Sequence, residues 1–236
     1  MGLEDKLRKA HRRYRSIKRV LYPIFEWSYH ARAEGNRGLK GPAVLFYLHP
    51  HSIDYAPAAY AINSPIAFVY KETAARRGFK IDLTTSLAAM VGSIPVSKTN
   101  NAHANVYRAL CRVLDNNGIV GIALQDDSGI SNKLEVMKGG VEMCLWYQLR
   151  RRKQIDLVPV GLDYSSIAGK VMAFPGTNIP LPLLTGITAR IGEPVRTELP
   201  VRNRESVRDY AELYAFTMAS EAARLSNMKH YSISVT

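Results

Sequence analysis

The chain has 236 residues, 47% of them hydrophobic and 22% charged, a balance that excludes a disordered polypeptide and provides a core for one domain. Its formal net charge of +12 points to an anionic partner: a membrane surface, a nucleic acid or a phosphorylated substrate. Cys111 and Cys144 lie in apolar, helix-like contexts without paired spacing, so neither a disulfide framework nor a zinc site is expected, and the protein is expected to be intracellular.

The charge is concentrated at the start. Residues 1–40 hold eleven Lys/Arg against Glu4, Asp5, Glu26 and Glu34, which accounts for +7 of the total. Leu3, Leu7, Ala10, Tyr14, Ile17, Leu21 and Ile24 recur at spacings of three and four, which predicts one apolar helical face with the basic residues on the others. Pro23 is expected to kink or interrupt this helix, and "IFEWSYHARAEG" continues it with aromatic residues. A basic amphipathic helix with aromatics near one end has the composition of an interfacial membrane anchor. The alternative is a stripe that packs on the rest of the domain, and the two are compatible. No run of about 18 apolar residues predicts a transmembrane helix, and the N-terminus lacks the features of a signal peptide. Residues 1–40 are therefore read as a helical membrane-surface segment and 41–236 as an α/β domain.

From Gly41 the pattern changes. The short apolar runs "AVLFYL", "IAFVY", "IVGIAL", "DLVPVGL" and "ITARIG" alternate with the helical stretches "APAAYAI", "DLTTSLAAMVG", "ANVYRALCRVLDNNG" and "KGGVEMCLWYQLRRRK". Continuous apolar strands separated by helices predict a single α/β domain, its central sheet mostly parallel or mixed and covered by helices on both faces. "SVRDYAELYAFTMASEAARLSNM" predicts a C-terminal helix. The Pro-rich "FPGTNIPLPLLTG" is an uncharged loop, either a buried crossover or a lipid-facing surface.

Within this frame, "VLFYLHPHSIDYAPAAYAI" (Val44 to Ile62) carries an apolar strand directly into two histidines and an aspartate. Reactive groups in open α/β folds gather just beyond the carboxyl ends of strands. His49 follows the strand, and Asp54 comes five residues later at a helix start, where an acidic side chain suits the free N–H groups. A strand-to-helix turn can fold the two side chains together. The carboxylate would then hold the imidazole tautomer while the other ring nitrogen removes a proton. The bland alternative is a satisfied core histidine. A metal reading of His49 and His51 lacks a third ligand.

Further blocks follow in order: "FVYKET" with Lys71 and Glu72, "GSIPVSK" with Gly92, Pro95 and Lys98, "LQDDSG" with Asp126, Lys138-Gly139, Val158-Pro159-Val160 and "ARIGEPV". With His49 and Asp54 as an H-x-x-x-x-D block, the series resembles the glycerolipid acyltransferase superfamily, in particular its lysophosphatidic acid acyltransferase branch, over about residues 40–196. Two phosphate-binding arginines of that family have no counterpart: Lys98 replaces one and Gly129 stands near the place of the other. Lysine offers a point charge rather than a bidentate fork. "HPH" is also similar to the H-P-H-G string of the diacylglycerol acyltransferase branch, whose acceptors are neutral.

The resemblance implies an O-acyltransferase of phospholipid biosynthesis, peripheral or monotopic on the cytoplasmic face of a membrane. His49 would be the general base and Asp54 its support. Lys98 and Lys71 would attract an acceptor phosphate, Asp126 would bind the acceptor or hold Lys98, and backbone N–H groups near Gly92 and Pro95 would meet the oxyanion. The donor would be acyl-CoA or acyl-carrier protein, the acceptor 1-acylglycerol-3-phosphate, with no cofactor or metal. The alternatives are a neutral mono- or diacylglycerol-like acceptor and a non-catalytic membrane-binding member of the fold, the latter suggested by the degenerate "LQDDSG". A nucleic-acid partner has only the charge in its favour, with no recognition motif, and is not expected.

Overall fold

The computed structural model describes residues 3–48, 54–71, 94–96, 102–125, 133–166, 171–174, 179–197, 204–228 and 231–236. Its first element is the helix α1 (Leu3–Tyr29). It runs through Pro23 without interruption, contrary to one of the two expectations for that residue. A proline inside a helix costs one backbone hydrogen bond and crowds the preceding turn, a cost that packing of the flanking turns can offset.

The expected strands form: β2 (Ala43–Tyr47), β3 (Ile66–Lys71), β5 (Ile119–Ala123), β7 (Asp156–Ser166) and β8 (Thr185–Ile191). Short strands that no apolar run announced join them, namely β1 (Arg32–Glu34), β4 (Ile94–Val96) and β9 (Val195–Arg196). Together they make one eight-stranded sheet in the order β1-β8-β7-β2-β5-β3-β4, with β9 beside the start of β7. Strands β7, β2, β5, β3 and β4 are mutually parallel. Strand β8 is antiparallel to β7, so the sheet is mixed. A separate two-stranded sheet pairs β6 (Lys133–Val136) with β10 (Ser232–Val235).

The central strands are buried on both sides, and the reason is visible in their side chains. Val44 and Phe46 of β2 point to a core built with α3 (Ala102–Asp115), α4 (Gly139–Arg151) and α5 (Arg204–Leu225). Ala43, Leu45 and Tyr47 point to a second core built with α2 (Tyr55–Ala61). Period-two alternation with apolar residues in both phases therefore buries both faces. Cys111 and Cys144 are free thiols buried on the α3/α4 side.

Two details let β7 serve as a central strand. Pro159 lacks an amide hydrogen, yet its carbonyl accepts from Gly192 N–H at 2.9 Å. Carbonyl and amide of one residue point the same way, so the missing donor faces the break between β8, which ends opposite Val160, and β9, which begins opposite Leu157. Gly161 lies directly under the end of α5: a Cβ there would stand 2.3 Å from Cβ of Leu225. Alanines 211, 215, 219, 222 and 223 of the same helix are fully buried, small side chains that suit close packing.

Candidate active site

The chain passes from β2 to α2 on one face of the sheet and from β5 through β6 to α4 on the other. Connections that diverge from adjacent parallel strands open a crevice at their carboxyl ends, where α/β folds bind ligands. Leu48, immediately before His49, and Gln125, immediately before Asp126, both stand at this edge, tied together by the Leu124 N–H donating to the Tyr47 carbonyl at 2.9 Å. Strand β3 ends at Lys71, opposite Val96 of β4, on the same edge.

His49, His51, Gly92, Lys98, Asp126 and Gly129 lie outside the described residues. Of the expected site residues, the backbone places Lys71 at the end of β3 and Pro95 in β4, in register with Tyr70. Asp54 is described in full and is completely buried.

Asp54 precedes α2 at the N-cap position, as its place in the sequence suggested, but its side chain makes no capping hydrogen bond there. Its Oδ1 instead accepts the hydroxyl hydrogen of Tyr164, from the far half of β7. Burial, and then the nearby Asp54 carboxylate, push the Tyr164 and Tyr47 hydroxyls well above the ordinary phenol range. Tyr164 is therefore a neutral donor to the Asp54 carboxylate. Tyr29, at the end of α1, also acts electrostatically on Tyr164, which brings the N-terminal helix to the same neighbourhood.

Tyr164 was not legible as a site residue because the apolar run of β7 reaches only to Leu162. Its one signal is alternation: Val158, Val160, Leu162 and Tyr164 share a face, and the first three belong to the core on which α2 packs. Strand β7 continues six residues beyond Val160, the partner of Tyr47 in the β2 ladder, and this overhang carries Tyr164 past the sheet edge to the start of α2.

Around the site, α1 presents two different sides. Tyr14 is buried and its hydroxyl donates to the Ala59 carbonyl at 3.4 Å. The Lys18 ammonium donates to the Ile62 carbonyl at 2.8 Å, and Tyr22 and Phe25 pack on the Tyr60 ring. Another side leaves Val20, Leu21, Ile24 and Trp27 exposed, Trp27 at 69%. The segment after β7 adjoins it: Tyr29 donates to the Pro180 carbonyl at 3.0 Å, and Leu183 N–H donates to the Ser28 carbonyl. Met172, Phe174, Leu183 and Leu184 of that segment are exposed as well, which excludes a wholly buried crossover. Among the described residues no helix is long and apolar enough to cross a membrane, and no cluster of His, Cys, Asp and Glu could hold a metal ion.

No protein-family model matches the sequence, and no curated protein matches it. Among solved structures, the fold is similar to the crystal structure of the 1-acyl-sn-glycerophosphate (LPA) acyltransferase PlsC from Thermotoga maritima, with a TM-score of 0.53 and 16% sequence identity over 94% of this chain and 83% of that one. At that identity the likeness is one of fold: a single α/β domain with a mixed central sheet flanked by helices and preceded by an N-terminal helix.

Proposed function

We propose that the protein is a membrane-associated glycerolipid O-acyltransferase, with 1-acylglycerol-3-phosphate as acceptor and acyl-CoA or acyl-carrier protein as donor. The observation that carries this reading is the completely buried Asp54, held by Tyr164 at the sheet crevice and five residues after a histidine at a strand end, in a fold similar to that of a known acyltransferase. His49 takes the proton of the glycerol hydroxyl as its oxygen attacks the thioester carbonyl. The tetrahedral intermediate collapses, the C–S bond breaks, and the imidazolium returns the proton to the departing thiolate. Asp54 orients the imidazole and stabilises its charged form. Lys98 and Lys71 attract the acceptor phosphate, and Asp126 binds the acceptor or Lys98.

Lipid acceptors lie in a bilayer, and the exposed apolar side of α1 together with Met172, Phe174, Leu183 and Leu184 supports docking on one. Exposed apolar side chains on adjoining segments mark interaction sites, and the exposed Arg12 and Arg19 on α1 fit an anionic, cytoplasm-facing leaflet. The "HPH" string favours a second reading in which the acceptor is a neutral mono- or diacylglycerol. The test is acyl transfer from a long-chain acyl-CoA to a mixed panel of phosphorylated and neutral acceptors, with products identified by mass spectrometry. Product from lysophosphatidic acid supports the first reading and product from neutral glycerides the second. Absence of transfer from any donor, with vesicle binding retained, leaves a non-catalytic member of the fold.

A further inference from the structure

We propose that Tyr164 is a positioning residue, whose hydroxyl holds the Asp54 carboxylate in the orientation in which it supports the His49 imidazole. This rests on the acyl-transfer reading and assigns to it a residue outside the H-x-x-x-x-D block.

Asp54 sits at the N-cap of a seven-residue helix, yet its side chain makes no capping hydrogen bond, so the first turn of that helix does not fix its carboxylate. The carboxylate is nevertheless completely buried, and a buried carboxylate requires donors. Tyr164 supplies one from 110 residues away.

The donor is well placed to act as a rigid support. Tyr164 pairs in register with Ile187 of β8, and Leu162, two residues before it on the same face, is buried in the core. A donor mounted on a paired strand positions its acceptor more narrowly than one on a loop. The contact acts on a side chain with two torsions, each with several staggered or broad wells.

Three tyrosines from three elements act on this carboxylate or its donor: Tyr47 from β2, Tyr164 from β7, and Tyr29 from α1 through Tyr164. Tyr55 of α2 stands beside Tyr47. Burial raises Tyr29, Tyr47 and Tyr164, so none of these three ionises on the acid side of neutrality.

The experiment uses the full chain with a long-chain acyl-CoA and lysophosphatidic acid, comparing wild type, Tyr164→Phe, Asp54→Asn and the double variant. Tyr164→Phe keeps the ring and removes only the hydroxyl. The expected result is a fall in kcat of about 10- to 100-fold with KM little changed, and no further loss when Tyr164→Phe is added to Asp54→Asn. A residue that matters only for packing would lower the folded fraction without lowering kcat per folded molecule, and its effect would persist beside Asp54→Asn. Fluorotyrosine at position 164 retains the donor and is expected to restore kcat, which keeps the test decisive if the phenylalanine variant folds poorly. Wild-type transfer with an unchanged kcat in Tyr164→Phe overturns this inference alone. No transfer by the wild type on any acceptor overturns the acyl-transfer reading, and this inference with it.

Discussion

The Tyr164 hydroxyl donates to Oδ1 of Asp54 across 110 residues of chain, joining the far end of β7 to the turn before α2. The carboxylate that the His49-to-Asp54 spacing singles out is thus held by the tertiary structure, and this has consequences for both ends of the motif.

His49→Ala is expected to abolish acyl transfer with the thermal transition unchanged, since a general base contributes roughly 10²- to 10⁴-fold in rate. Asp54→Asn is expected to remove most of the activity through lost orientation of the imidazole. His51→Ala should be milder, because the five-residue spacing to Asp54 belongs to His49. Steady-state rates on the three variants check this. An inactive His51→Ala beside an active His49→Ala would reverse the assignment.

Lys98→Ala should raise the apparent KM for a phosphorylated acceptor and leave that for a neutral one unchanged. Lys98→Arg should retain phosphate binding, since a guanidinium supplies the charge and adds a second parallel donor. A neutral glyceride that proves the better substrate in the wild type would remove the phosphate reading and favour the one suggested by "HPH".

The two sides of α1 separate anchoring from packing. Ile24→Ser with Trp27→Ser changes only exposed side chains and should weaken binding to anionic vesicles with little change in Tm. Truncation of residues 1–28 should also destabilise the fold, because it removes the Tyr14 and Lys18 hydrogen bonds and the rings packed on Tyr60. Basic residues near an anionic surface contribute about 1 kcal/mol each and are screened by salt. Flotation at low and high salt is therefore expected to show a salt-sensitive component. Salt-insensitive binding that survives the double substitution would assign the contact to Phe174, Leu183 and Leu184 alone.

Lys18 sets a pH dependence of stability. Burial, and then the charge of Arg37, lower its ammonium from the ordinary 10.5 to about 8. Between those values the unfolded chain binds more protons than the folded one, so stability rises with pH over that interval. Buried tyrosines act in the opposite sense from about pH 10 upward, Tyr14 being pushed up to about 12 by burial. The wild type is therefore expected to gain in Tm from pH 8 to about 9.5, and Lys18→Met to show a flatter slope over that window. Equal slopes in the two proteins would remove Lys18 as the cause.

Much of the architecture could be read locally. Apolar runs rich in β-branched residues marked β2, β3, β5, β7 and β8, and their burial in both phases required helices on both faces. The His49-to-Asp54 spacing at a strand end was equally local, as was the basic, amphipathic character of α1. Strands β1, β4, β6, β9 and β10 were not legible, because two to four residues are too few to establish a period and their pairing depends on distant partners.

The expected stripe of α1 included Tyr14, Leu21 and Ile24 on one face, but the structure buries Tyr14 and leaves Leu21 and Ile24 exposed. The packed side runs through Tyr14, Lys18, Tyr22 and Phe25, where hydroxyl and ammonium groups bond to carbonyls and tilted rings pack on Tyr60. Helical periodicity establishes that a stripe exists, whereas what covers it depends on the shape and free acceptors of the surface opposite. Tyr164 follows the same logic. Its alternation with Leu162 placed it on a face, but only the overhang of β7 past the end of β2 brings its hydroxyl to Asp54, because strand length and ladder register are properties of the assembled sheet.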